Sequence, residues 1–223
     1  MKYSNLRAFE KHLEGAAPDH FSHLYMILAK DPFELKTACD RLTSALVGKE
    51  RSSELGLAVF DGERDGIEPI LSELQTFSFF VKKRAIVVHN SDKLDKNAAA
   101  KLESFFHNPT KATFLVITAP ALNRATNFYK NGEKTGVVLD IPEEKPWERE
   151  KSLQEWIRTE AAAQGKKIDQ KTCQWLLKQL GTDQMLLHNE LQKLYCYIGE
   201  KEEITLNDIG AICTSIAIEN AWQ

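Results

Sequence analysis

A phosphate-binding loop is the first chemistry to test, because the apolar run at 23–29 is followed directly by a helical pattern. Such a loop reads Gly-x-x-x-x-Gly-Lys-Ser/Thr, since glycines let backbone N–H groups surround the phosphates and the lysine contacts them. This chain instead has Ala29, Lys30 and Asp31, followed by Pro32, which lacks an N–H. The Asp31 carboxylate would repel phosphate. The sequence therefore predicts a degenerate nucleotide loop.

ATP hydrolysis also requires an acidic pair that holds magnesium at the end of a neighbouring strand. The chain has His89 and Asn90 after its third apolar run. Two further motifs are missing from the sequence: Gly-x-Gly-x-x-Gly, which binds dinucleotides, and Gly-x-Ser-x-Gly, which carries a hydrolase nucleophile. We therefore expect no ATP hydrolysis by this chain, no catalytic residue and no cofactor.

Metal binding has little support in the sequence. An acidic cluster follows the second apolar run and consists of Asp61, Glu63, Asp65 and Glu68. These carboxylates could hold a divalent cation, but a solvated turn before a helix is the favoured interpretation. The 4 cysteines lie far apart without a Cys-x-x-Cys pair, and no ligand cluster accompanies the histidines. We expect no metal site.

An apolar segment with a basic flank lies between a predicted helix and a predicted strand, where loops are normally polar. It reads TFSFFV at 76–81, and Lys82, Lys83 and Arg84 follow at once. Two interpretations stay open. The phenylalanines pack beneath a sheet, which the local pattern alone favours, or they project from the surface and bind a partner.

The candidate residues named above lie in or between apolar strand patterns that alternate with amphipathic helical patterns. Strand patterns occupy 23–29, 57–62, 84–90, 113–119 and 137–141, and helical patterns lie between them. This alternation predicts an α/β fold in which a parallel sheet has helices on its faces.

A change of composition near residue 142 predicts a second domain. The segment IPEEKPWERE is rich in proline and charge, as linkers are, and only helical patterns follow it. We therefore predict an α/β domain over 1–142 and a small helical domain over 143–223. Asp169 and Asp183 are predicted to cap helices there, and Gly165, Gly181 and Gly199 to end them.

Charge and hydropathy exclude further classes of protein. The formal net charge is −3 and the isoelectric point is near 6.1, which argues against a protein that is basic overall and coats nucleic acid. The longest apolar stretch contains a proline and is too short to span a bilayer, and the N-terminus lacks the apolar core of a signal peptide. These patterns predict a cytoplasmic protein without a membrane partner.

Segments that resemble a known family are spread in order over nearly all of the chain from Leu24 onward: YMILAKDPFELKTACDRL, VFDGE, LQTFSFFVKKRAIVVHNSDKL, TFLVITAPALNRATNFYK, KKIDQKTCQWLLKQLGTD, LHNELQKLYCYIG and EEITLNDI. In these segments the chain resembles the delta subunits of the bacterial DNA polymerase III clamp loader.

The resemblance implies an AAA+ fold with a RecA-like domain, a small helical lid and a helical collar. It implies a non-hydrolysing subunit that binds the sliding clamp (beta) and opens its ring. The delta-prime and tau/gamma subunits would be its partners, with ATP bound by neighbouring subunits and primed DNA reached through the complex. The collar is expected to be absent, because the chain ends at Gln223, about where a collar begins.

The clamp-binding pair of this family falls on Phe79 and Phe80, with Phe77, Val81, Lys82 and Lys83 as possible flanks. The family more often has an aliphatic residue before the phenylalanine and a glycine after it. Lys82, Lys83 and Arg84 either contact an acidic clamp at the rim of the interface or begin a solvated strand edge. The alternative function is an α/β enzyme that binds a nucleotide or another small molecule at the carboxyl ends of its strands.

Overall fold

The computed structural model describes residues 1–48, 56–76 and 81–213. The chain divides into two compact units, Met1–Glu143 and Glu144–Gln223. The first unit contains the parallel sheet and the second is mainly helical, which confirms the predicted fold class.

The first unit alternates strands and helices along the chain. Its elements are β1 (Lys2–Tyr3), α1 (Leu6–Ala16), β2 (Leu24–Ala29), α2 (Pro32–Val47), β3 (Leu57–Asp61), α3 (Ile67–Gln75), β4 (Arg84–His89), α4 (Lys96–His107), β5 (Thr113–Ala119), α5 (Asn127–Thr135) and β6 (Val137–Ile141). Within the described residues they form one six-stranded sheet of order β1-β6-β2-β5-β4-β3, in which every pairing is parallel. The short strand β1 was not predicted, because two residues show no periodicity.

The sheet is buried on both faces, which explains the continuous apolar runs in its strands. Every residue of β2 and β5 is buried. Successive side chains point to opposite faces, so Tyr25 and Ile27 pack against α1 and α2. Met26 and Leu28 pack on the other face with α3, α4 and α5. The carboxyl ends of the strands therefore form one edge of a rigid layer, and the amino ends form the opposite edge.

The second unit packs its helices around a separate apolar core. Its elements are α6 (Pro146–Ala163), β7 (Lys167–Ile168), α7 (Gln170–Leu180), α8 (Gln184–Ile198), β8 (Glu203–Ile204) and α9 (Leu206–Ile212). The two-residue strands β7 and β8 pair in parallel, a feature that the helical sequence pattern did not predict. None of the helices in the described ranges is long and apolar enough to cross a membrane.

The predicted helix caps of the second unit are present. The side chains of Asp169 and Asp183 accept hydrogen bonds from the backbone N–H groups of Thr172, at 2.6 Å, and Leu186, at 2.9 Å. Gly181 (φ 77°) and Gly199 (φ 54°) follow α7 and α8 in conformations that favour glycine.

Candidate functional site

The loop after β2 lies at the carboxyl edge of the sheet, where nucleotides bind in folds of this type. Ala29 is the buried last residue of β2, and Lys30 is exposed. The Lys30 Nζ donates a hydrogen bond to the Glu143 carboxylate at 2.5 Å. The lysine ammonium is thus already paired with a carboxylate of the same unit.

Asp31 caps α2 in the place where a phosphate-binding loop presents free N–H groups. Its Oδ1 accepts hydrogen bonds from the backbone N–H groups of Phe33, at 2.7 Å, and Glu34, at 3.2 Å. A helix N-terminus attracts anions because its first N–H groups lack partners within the helix. Here the carboxylate of Asp31 occupies these donors, and Pro32 supplies none. A phosphate group would have to displace Asp31 from its own helix.

Replacing Asp31 with alanine is expected to lower the free energy of unfolding by about 1 kcal/mol, because α2 loses its N-cap. Asp31→Asn is the matched control, since asparagine caps about as well as aspartate. Chemical denaturation of both variants measures the difference. If Asp31→Ala and Asp31→Asn have equal stabilities, the side chain does not stabilise the helix.

The ends of β3, β4 and β5 are joined by hydrogen bonds between side chains. His89 Nδ1 lies 2.8 Å from Thr118 Oγ1, and burial of the imidazole lowers the pKa of His89. Asn90 has a left-handed backbone (φ 51°), and its amide donates to the Asp61 carboxylate at 3.0 Å. His89 and Asn90 thus stand at the end of β4, where a magnesium-holding acidic pair is required for ATP hydrolysis.

The acidic cluster after β3 forms a turn, as the favoured interpretation predicted. Asp61 accepts from the Glu63 N–H at 2.9 Å, which is the main cause that lowers the pKa of Asp61. The Asp65 carboxylate accepts from the Asp61 N–H at 2.7 Å, and Glu68 pairs with Lys101. Over the part of the chain that the structure describes, no group of three or more His, Cys, Asp or Glu residues could hold a metal ion.

The end of α3 and the beginning of β4 lie at the opposite, amino edge of the sheet. Phe77, Phe79 and Phe80 lie outside the described residues, so their predicted role as a clamp-binding site stays a prediction. Val81 is half-buried and Lys82 is exposed.

Arg84 is buried, so it neither contacts a partner nor begins a solvated strand edge. Its side chain is 8% exposed, and its guanidinium pairs with the carboxylate of Glu73 in the last part of α3. A second guanidinium nitrogen lies 3.4 Å from the Glu73 carbonyl oxygen. This ion pair joins the end of α3 to the beginning of β4, and it therefore fixes both ends of the connection.

Lys83 is held by the loop that precedes β2. Its ammonium donates to the Pro18 carbonyl oxygen, lies 3.8 Å from the Asp19 carboxylate and lies 5.2 Å from the centroid of the Phe21 ring. No sequence pattern pointed to these contacts, because Pro18 and Lys83 are separated by 65 positions. Of the flanking lysines, Lys82 is the one left exposed.

Comparisons with known proteins agree with the resemblance seen in the sequence. A family model described as "DNA polymerase III, delta subunit" matches residues 25–141. The DNA polymerase III subunit delta of Bacillus subtilis is 25% identical over 211 residues, which cover 90% of this chain and 59% of that protein.

Solved structures show the same fold. The Bacillus subtilis DNA clamp loader delta protein superposes with a TM-score of 0.68 at 23% identity, over 97% of this chain and 64% of its own. The Thermotoga maritima RuvB Holliday junction branch migration motor has a TM-score of 0.59 at 14% identity, over 93% of this chain and 67% of its own. These likenesses confirm the predicted AAA+-type fold. The chain spans about three fifths of the length of the delta relatives it matches.

Proposed function

Because this chain belongs to the DNA polymerase III delta-subunit family, we propose that it binds the sliding clamp and opens its ring as a non-catalytic part of the clamp loader. The observation that carries the proposal is the family match over 25–141, which includes the whole connection between α3 and β4. The degenerate nucleotide loop supports the non-catalytic part of the proposal.

Ring opening needs binding energy rather than covalent chemistry. A ligand shifts a closed–open equilibrium only by the difference between its affinities for the two states. Phe79 and Phe80 are the residues we propose to enter a pocket on the clamp, with Phe77, Val81 and Lys82 beside them. Burial of two phenylalanine side chains contributes about 1.5–3 kcal/mol each, and the part of this energy that is gained only with the open ring shifts the equilibrium toward opening.

The ion pair between Glu73 and Arg84 supports a mechanical role for this connection. It fastens both ends of the segment to elements of the rigid sheet layer. A clamp bound to this segment would therefore be held by α3 and β4, which the ion pair joins. ATP binding and hydrolysis are proposed to occur on neighbouring subunits of the loader, and primed DNA is reached through the assembled complex.

The purified chain is expected to show no ATP turnover, because Lys30 is paired with Glu143 and the Asp31 carboxylate occupies the N–H groups that would bind phosphate. Release of inorganic phosphate in the presence of magnesium measures this. Lys30→Ala serves as the control. Turnover in the original chain that disappears in Lys30→Ala would contradict the proposed non-catalytic role.

The proposal is tested by passing the chain over immobilised sliding clamp from the same organism. We expect retention without nucleotide, since no step in clamp binding by this chain uses ATP. Failure to bind at micromolar concentrations, together with tight magnesium-dependent binding of labelled ATP, would instead support a nucleotide-binding enzyme.

A further inference from the structure

A cavity of about 250 Å³ lies at the amino edge of the sheet, beside Lys82 and Lys83, which precede β4. It is bordered by residues that immediately precede or begin three neighbouring strands, β2, β4 and β5. The residues that give it its chemistry are Phe21, His23, Lys82, Lys83, Lys111 and Phe114. We call it the basic–aromatic pocket.

The floor of the basic–aromatic pocket is apolar and rigid. Phe21 and Phe114 are 8% and 5% exposed, and their ring centroids lie 6.3 Å apart in an edge-to-face arrangement. The His23 ring stacks on Phe114 with centroids 5.4 Å apart, and its Nδ1 lies 3.1 Å from the Thr113 carbonyl oxygen. Since a carbonyl oxygen only accepts hydrogen bonds, Nδ1 carries the proton and the ring is fixed in place.

The rim of the pocket is positively charged. Lys82 and Lys111 are exposed, and neither ammonium forms an ion pair with a carboxylate among the described residues. Lys83 is held by Pro18, with Asp19 at 3.8 Å. Three ammonium groups thus border a pocket to which Asp19 contributes one carboxylate. A ligand that carries carboxylates fits this rim, while the buried rings hold the lysines' neighbouring strands in place.

We propose that the basic–aromatic pocket binds an acidic segment of the sliding clamp, with carboxylates at Lys82 and Lys111 on its rim. This inference rests on the proposed function. Lys82 directly follows Val81, so one side of the pocket is adjacent in sequence to the segment proposed to contact the clamp. A single-stranded nucleic acid fits less well, because base stacking needs exposed aromatic faces and both rings are buried.

The test compares two double charge reversals in the whole chain. Lys82→Glu with Lys111→Glu changes the pocket rim, whereas Lys96→Glu with Lys130→Glu makes the same change in net charge on α4 and α5. We expect the pocket variant to bind the clamp about tenfold more weakly and with a flatter salt dependence, whereas the control stays within about twofold of the original chain. Thermal melts of both variants check folding, and Lys82→Ala with Lys111→Ala provides a milder change should the reversal unfold.

Carbodiimide cross-linking tests the same contact independently, because it joins a lysine to a carboxylate only where the two are in contact. We expect cross-links between Lys82 or Lys111 and acidic residues of the clamp. Equal affinities of the pocket and control variants, with cross-links only elsewhere, would overturn the pocket proposal while leaving clamp binding intact. If the pocket variant binds single-stranded DNA more weakly but binds the clamp as well as the original chain does, the pocket binds nucleic acid and the proposal is wrong. If the original chain does not bind the clamp at all, the result contradicts the proposed function, on which the pocket proposal rests.

Discussion

Replacing Phe79 and Phe80 together with alanine is expected to abolish binding to the sliding clamp while leaving the melting temperature close to that of the original chain. Each ring that enters an apolar pocket contributes about 1.5–3 kcal/mol, so loss of both weakens binding at least about a hundredfold. Thermal melts and clamp titrations on the same preparation measure the two quantities together.

The competing interpretation, in which these phenylalanines belong to the core, predicts the opposite pattern. Truncation of a buried phenylalanine costs about 3–5 kcal/mol of stability. Phe106→Ala is the matched control, because Phe106 lies in α4 and is 5% exposed. A double variant that is destabilised at least as much as Phe106→Ala would identify Phe79 and Phe80 as core residues. A stable double variant that still binds clamp would refute their role in docking.

The variant Glu73→Ala is expected to lower the free energy of unfolding by about 2 kcal/mol, because it leaves the Arg84 guanidinium buried without its carboxylate. For a chain of this size, that corresponds to a fall of about 4–8 °C in the melting temperature. Arg84→Met added to Glu73→Ala should recover part of the loss, since the double variant no longer buries an unpaired charge. Chemical denaturation of the single and double variants measures both effects.

An exposed ion pair provides the control for this prediction. Glu68 pairs with Lys101, but its side chain is 72% exposed, so Glu68→Ala should cost less than about 1 kcal/mol. If Glu73→Ala and Glu68→Ala lower the free energy of unfolding equally, burial of Arg84 does not increase the cost of removing its partner. No recovery on adding Arg84→Met would show that the unpaired guanidinium is not the cause of the loss.

The elements that sequence predicted well are those whose signals are local. An aspartate followed by proline is a typical beginning of a helix, and the structure places Asp31 at the N-cap and Pro32 at the first helical position of α2. The strands β2 and β5 are buried on both faces, so their continuous apolar runs distinguish them from amphipathic helices. The degenerate loop was also predictable, because the residues that bind phosphate are adjacent in sequence.

The features that sequence missed depend on contacts between distant parts of the chain. The basic run at 82–84 looked uniform, yet the structure leaves Lys82 exposed, holds Lys83 against Pro18 and buries Arg84 on Glu73. Spacing cannot reveal which lysine of a run meets a carbonyl oxygen 65 positions away. The basic–aromatic pocket is equally non-local, since it combines residues from the beginnings of three strands.

Ring opening can be measured directly with a sliding clamp that carries a fluorophore pair across one subunit interface, quenched while the ring is closed. We predict that adding this chain without nucleotide raises the fluorescence to a saturating level, and that the Phe79→Ala, Phe80→Ala variant produces no rise. No increase in fluorescence at saturating concentrations of bound chain would contradict the proposal that this protein opens the clamp.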